Sequence, residues 1–160
     1  MHTGIDMGLK VTSIVTLDDS ATITFNAQFG TEIQLKFKDK IKAHPCERYE
    51  LYYDSLYNHF TDNHITGTIV MEQPLGMLLG HGRKLIELKG IYLIALSKLN
   101  LDYNKVYLPQ PTLIKKFFTG RGDANKQDMI NECVKRGHSP KNDHEADSIA
   151  MAYMSLEGEF

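Results

Sequence analysis

The chain has only two cysteines, Cys46 and Cys133, and they stand alone, in no zinc-binding or redox spacing. Its N-terminus lacks a basic stretch leading into an apolar core, so no secretory signal is expected, and two isolated cysteines then suit a reducing compartment, the cytoplasm. Long hydrophobic runs are missing as well. The longest purely apolar stretch covers residues 91–96, far short of the roughly 20 residues that span a bilayer, and no membrane partner is expected. Nor is there much net charge: 18 basic and 20 acidic residues leave −2, which taken whole does not suggest a nucleic-acid binder. Internal repeats, low-complexity tracts and an interdomain linker are absent, and 160 residues suit one domain, 1–160, with a real core.

The charge that is present is unevenly spread. Residues 105–141 hold eight bases (Lys105, Lys115, Lys116, Arg121, Lys126, Lys135, Arg136, Lys141) against three acids (Asp123, Asp128, Glu132), whereas 143–160 hold five acids and no base. A basic segment beside an acidic one suits either phosphate next to a metal-binding carboxylate cluster or a plain solvated face. The hydrophobic pattern predicts strands over 11–17 and 22–29, joined by a turn at Asp18-Asp19-Ser20, and a half-buried strand over 31–38. A helix is expected over 47–61, a buried strand over 67–72, a long helix over 78–99 and a brief strand over 105–108. Short helices over 110–118 and 126–135 flank the loop 119–125, and a last helix runs from Asn142, at capping-box spacing from Glu145, to about Leu156. Three antiparallel strands followed by crossover units give a mixed α/β domain.

Asp6 lies inside the first apolar run with Gly4 and Gly8 on its own face and Ile5 and Met7 on the other. The glycines are read as leaving open space around the carboxylate. An ionised carboxylate on a sheet without a partner costs several kcal/mol, so a turn aspartate or a cation site are the two explanations. Glu72 ends the buried strand over 67–72. His144 and Asp147 share a helical face that continues as Ala150, Met151 and Met154. Acids from three distant segments repel one another unless cations hold them, and oxygen ligands of this kind suit Mg²⁺ or Mn²⁺.

Gly4-Ile-Asp-Met-Gly8 with Val11-Thr12, then Met71-Glu-Gln73, then Thr119-Gly-Arg-Gly-Asp-Ala-Asn-Lys126, then His144-Glu-Ala-Asp-Ser-Ile-Ala-Met-Ala152 stand in the order and spacing of one known family. Over residues 4 to about 154 the chain resembles the RuvC-type Holliday junction resolvases. The resemblance implies a ribonuclease-H-like fold, a mixed five-stranded sheet flanked by helices, and a homodimer in which each subunit nicks one of two symmetry-related strands of a four-way DNA junction with two Mg²⁺ per site. It implies that Asp6, Glu72, His144 and Asp147 form the metal-binding catalytic set, and that Lys115 and Lys126 act near the scissile phosphate. Lys116, Arg121, Leu75, Arg83 and Lys84 are further candidates for DNA contact, although Lys84 also reads, with Glu87, as an ordinary helix-surface charge.

Two departures stand out. His144 occupies a position where many members carry aspartate, and since only a neutral imidazole ligates a metal, activity is expected to fall as pH drops through the histidine range. Asp143 is an alternative ligand, or a helix N-terminal acid favoured by the dipole. Where bacterial members carry an aromatic residue after the strand glutamate, this chain has Pro74-Leu75-Gly76-Met77, and Leu75 is either an apolar wedge or a core or interface leucine. Lys36, Lys38, Lys40 and Lys42 either contact a DNA arm or protect a strand edge. His59, His64 and His81 are expected on the surface, and Tyr49, Tyr52, Tyr53 and Tyr57 as packing residues of an amphipathic helix. The helix over 78–99 is the expected dimer face. Rival readings are a broad branched-DNA debranching nuclease, a junction-binding module without catalysis, and an actin-like ATPase, for which the chain is short of a second lobe.

Overall fold

A run of β-branched residues broken by short turns, then helices alternating with apolar strands, folds into one sheet with helices on both sides. The computed structural model of the chain describes residues 1–29, 45–63, 67–74, 81–99 and 101–159, following 45, 48, 81–83 and 103 in backbone only. The strand expected over 31–38, Lys36, Lys38, Lys40, Lys42, His64 and Leu75 lie outside the described residues, as do the side chains of His81 and Arg83.

The strands are β1 (His2–Asp6), β2 (Thr12–Leu17), β3 (Ile23–Phe29), β4 (Thr68–Met71) and β5 (Val106–Tyr107). The helices are α1 (Pro45–Asp62), α2 (His81–Lys98), α3 (Pro111–Thr119), α4 (Lys126–Lys135) and α5 (Asp143–Glu157). The sheet order is β3-β2-β1-β4-β5. β1, β2 and β3 pair antiparallel, and β4 pairs parallel to both β1 and β5, the crossover through α2 carrying the chain from β4 to β5. This is the mixed α/β arrangement that the pattern predicts and the five-stranded sheet that the resemblance implies.

Strand alternation divides the core into two layers. Ile5, Ile14, Ile69 and Met71 face α1 and α2, packing on Tyr52, Leu56, Phe60, Leu88 and Tyr92. Val15, Leu17 and Val70 face the other way, onto α5, with Ile114 and Phe118 of α3 and Met129 and Cys133 of α4 closing over it. α5 is therefore covered on both sides, by the sheet and by α3 and α4, and its residues from Ser148 to Ser155 are all buried. The tyrosines of α1 pack as expected: Tyr52 is buried and the Tyr53 and Tyr57 rings stack with centroids 5.4 Å apart.

Several local expectations change. Gly4 leaves no open space beside Asp6: a Cβ there would fall 2.0 Å from Ser148 O and 2.6 Å from Ala152 N, so the backbone of α5 fills that side of the strand. At Gly8 a Cβ would meet Val11 O at 2.1 Å, the inside of the turn between β1 and β2. His59 is half-buried rather than on the surface, its ring 4.6 Å from Phe29 and 6.2 Å from Phe25, and burial lowers its pKa. Glu87 is not a plain surface charge either, since it accepts the Tyr49 hydroxyl at 2.9 Å and so ties α1 to α2. Among the described residues, no helix is long and apolar enough to cross a membrane.

The close approach at Gly4 yields a direct test. Gly4→Ala forces a methyl into backbone that cannot move aside cheaply, and a loss of about 3 kcal/mol or more is expected. Urea denaturation followed by circular dichroism checks it, and unchanged stability would show that α5 can lift off β1.

Candidate active site

The site lies where two neighbouring strands end. β1 and β4 run parallel with Ile5 opposite Met71, so carrying that register one residue further sets Asp6 beside Glu72. Both carboxylates leave the carboxyl ends of parallel strands, the usual position for a site in an open α/β sheet. The first turns of α5 pass over this edge. His144 Nδ1 meets Asp6 Oδ2 at 2.6 Å, and Asp147, one turn later, adds its charge to both strand acids. The four residues of the expected set are thus gathered from β1, from the end of β4 and from α5.

Their electrostatics show the strain of the gathering. Burial, followed by repulsion from Asp6 and Asp147, pushes the Glu72 carboxyl up to about 7, against a smaller pull from Lys115. Burial, followed by repulsion from Asp6 and Asp143, pushes Asp147 up to about 7 as well, with Lys115 and His144 opposing. The hydrogen bond to Asp6 holds the His144 imidazolium above the usual histidine range, and burial works against it. Asp143 is held below the usual carboxylate range by its ion pair with Lys126, whose own pKa is raised by the same contact.

The cluster is keyed to the sheet by residues outside the expected set, and of these the sequence reading marked only the Asn142–Glu145 cap. Ser148 Oγ accepts the Asp6 N–H at 3.3 Å and lies 3.0 Å from both Ser13 O and His144 O, joining β1, β2 and α5 through one hydroxyl. Asn142 caps α5 by accepting the Glu145 N–H at 3.0 Å. The Glu145 carboxylate turns back to accept Lys141 N–H at 3.1 Å and the Asn26 amide of β3, so the reciprocal half of the capping box falls one residue early. Asn142 and Gln28 exchange amide hydrogen bonds of 2.8 and 3.0 Å. Asp147-Ser148 is adjacent in sequence, but nothing in the pattern marks the hydroxyl as a strand-to-helix link.

Around this cluster the basic residues fall into two groups. Lys115 of α3 acts on Glu72 and Asp147 across the site, and Lys126 of α4 pairs with Asp143 at its rim. Lys116 is exposed on α3, Arg121 is exposed and engaged with Asp123 at 3.2 Å, and Lys84 is exposed in the helix layer on the far side of the sheet from α5. The Arg121-Gly-Asp123 loop starts after Gly120, whose φ of 80° ends α3 in a left-handed cap.

As a donor set, three carboxylates and an imidazole suit a hard divalent cation, which would relieve the repulsion that adds to burial in lifting Glu72 and Asp147. Among the described residues, the buried Ser13 hydroxyl, opposite Asp6 in the β1–β2 register, has no hydrogen-bond partner. Among the described residues no three His, Cys, Asp or Glu side chains already converge tightly enough to hold an ion, and His144 is turned onto Asp6.

No protein-family profile and no curated protein sequence matches the chain. Solved structures do. Thermus thermophilus RuvC superposes with a TM-score of 0.68 at 18% identity, over 98% of this chain and 95% of that one. In complex with a Holliday junction substrate, T. thermophilus RuvC gives a TM-score of 0.71 at 19% identity, over 98% and 91%. The yeast mitochondrial Holliday junction resolvase Ydc2 gives 0.63 at 15% identity, over 98% of this chain and 79% of its own. The resemblance read from the four motifs thus extends to the fold over nearly the whole chain.

The raised carboxyls have a measurable consequence. Each binds its proton more tightly folded than unfolded, so its contribution to stability is full below about pH 4 and is lost as pH rises through about 7. Glu72→Gln and Asp147→Asn are each expected to stabilise the chelator-treated protein at pH 8 by about 1–3 kcal/mol, an advantage that vanishes near pH 4. Guanidinium denaturation at the two pH values checks this, and equal stabilities at pH 8 would remove the repulsion from the account.

Proposed function

We propose that this chain, which has the fold of the RuvC-type resolvases, is a metal-dependent endonuclease that cuts four-way DNA junctions by paired nicks as a homodimer. The observation that carries the reading is the assembly of Asp6, Glu72, His144 and Asp147 at the ends of β1 and β4 with Lys115 and Lys126 beside them. Acids alone would repel a phosphodiester, and a basic face alone would bind without cutting. Together they suit phosphodiester hydrolysis.

Each residue has a part. Asp6, Glu72 and Asp147 are the oxygen donors for Mg²⁺, with Mn²⁺ as a substitute, and His144 is a nitrogen donor once neutral and parted from Asp6. Two such ions, when bound, supply an activated water on one side of the phosphorus and stabilisation of the leaving oxygen on the other. Lys115 and Lys126 bind the non-bridging phosphate oxygens and favour the charge that grows on them. Ser148 keeps Asp6 in register with α5 while DNA enters. Lys116 and Arg121 extend the basic rim along the backbone, and binding should weaken steeply with salt.

Paired cuts need two sites related by an axis. α2 presents Ile86 and Ile94, 40% and 52% exposed, on one stripe with Gly90 between them, where a Cβ would meet nothing within 4 Å. That stripe is the proposed dimer contact. Sedimentation equilibrium should give a dimer for the wild type and a monomer for Ile94→Glu, and a wild-type monomer at working concentration would overturn it.

The deciding experiment incubates the protein with labelled four-way junction, Y-fork and linear duplex, in Mg²⁺ and in chelator. Metal-dependent paired nicks in the junction are expected, lowered at least roughly a hundredfold in Asp6→Asn. Because Asp6 holds the His144 proton, the acid limb of the pH–rate profile should lie above the ordinary histidine range and move to lower pH in His144→Asp. Tight junction binding with no cut in Mg²⁺ or Mn²⁺ would instead leave a binding module, and equal cutting of the fork a debranching nuclease.

A further inference from the structure

Lys126 stands in an electrostatically poor place. It is the first residue of α4, where the positive end of the helix dipole disfavours a cation. The capping box of Asn125 and Asp128, with bonds of 3.0 Å in each direction, fixes the turn from which it projects. Its counter-charge is Asp143, the first residue of α5, whose carboxylate receives the ammonium directly. Lys126 is 80% exposed and Asp143 only 24%, so the acid is the anchor and the lysine the guest.

The anchor is itself rigid. Asn142, next to it, is bound to Gln28 of β3, and Glu145 is bound to Asn26 of β3 and to the Lys141 N–H. The same turn carries His144 on Asp6. Asp143 therefore keeps a set distance from the acid cluster, while Lys126 reaches the cluster from a different helix. An exposed lysine–carboxylate pair adds little to fold stability, so stability does not account for placing a lysine at this helix start. Freed from Asp143, the ammonium has two destinations. One is solvent. The other is Asp147 and Asp6, whose attraction it already feels, and there it would compete with a divalent cation for the same oxygens.

We propose that Asp143 is a positioning residue for the reaction, tethering Lys126 Nζ at the rim of the acid cluster so that an arriving DNA phosphate meets a placed ammonium and the acids stay open to the cation. The proposal rests on the nuclease reading above. It also assigns Asp143 a part that is neither ligation nor helix-dipole compensation alone.

Two measurements on the full-length protein test it together. A zero-length carbodiimide should join Lys126 to Asp143 in the wild type, and the cross-linked peptide should be absent from Asp143→Asn. In single-turnover cleavage at saturating protein, Asp143→Asn is expected to slow the cut roughly ten- to a hundredfold while the junction Kd in chelator stays within about twofold. Asp143→Glu should recover most of the rate. Adding Asp143→Asn to Lys126→Gln should cost nothing further, because the two act as one unit. Asp143→Ser, which keeps a polar helix start, takes the place of Asp143→Asn should that variant melt early. Independent, multiplying losses, rescue of Asp143→Asn by added Mg²⁺, or absence of the cross-link would each overturn the tether. A wild type that cuts normally without the cross-link defeats this proposal alone. A wild type that binds the junction and cuts nothing defeats the nuclease reading and this proposal with it.

Discussion

The close seating of α5 on β1 is the constraint on which the site depends. Gly4 has no side chain, so the backbone of α5 at Ser148 and Ala152 comes within van der Waals reach of the strand. Ser148 then stitches the helix to β1 through the Asp6 N–H and to β2 through Ser13 O. With the helix at that height, its first turns project His144 and Asp147 over the strand end that carries Asp6. A larger side chain at position 4 would raise the helix, and the acids of strand and helix would lose one another.

Bringing the acids together costs electrostatic energy, and the surrounding structure offsets part of it. Glu72 and Asp147 hold protons near neutrality because burial, and after it the charge of Asp6 and of a further acid, Asp147 for Glu72 and Asp143 for Asp147, disfavour ionisation. His144 shields Asp6, Lys115 reaches across to Glu72 and Asp147, and Lys126 is held at the rim by Asp143. The amino-terminal end of α5 adds the positive pole of its dipole to a turn rich in acids.

The two faces of the sheet divide the work. α3, α4 and α5 cover one face and carry Lys115, Lys126, Asp143, His144 and Asp147. α1 and α2 cover the other and contribute apolar packing, with an aromatic layer around Tyr52, Tyr92 and Phe60 and the Thr12–Tyr92 hydroxyl bond of 2.8 Å inside it. The exposed Ile86 and Ile94 of α2 therefore belong to the layer on the opposite side of the sheet from the acid cluster.

By itself the sequence determined the order of elements. Runs of β-branched and aromatic residues parted by a turn marked β2 and β3, three- and four-residue spacing marked α1, and capping residues placed α5 to within a residue or two of its ends. It also marked Asp6, Glu72 and Asp147 as costly residues on apolar elements, because a buried carboxylate is anomalous wherever it stands. What it could not decide were relations between segments. Gly4 looked like room for a ligand, whereas the space belongs to a helix more than a hundred residues away in the chain. Ser148, the Asn26–Glu145 bond and the Lys126–Asp143 pair have no periodic signature, since each joins a helix to a different element. Glu87 and His59 looked like surface residues until the partner helix and strand were in place. Local propensity and burial patterns are written into neighbouring residues and are legible there. Distances between carboxylates, and hence their charge states, exist only once β1, β4 and α5 have met, and tertiary packing alone sets them.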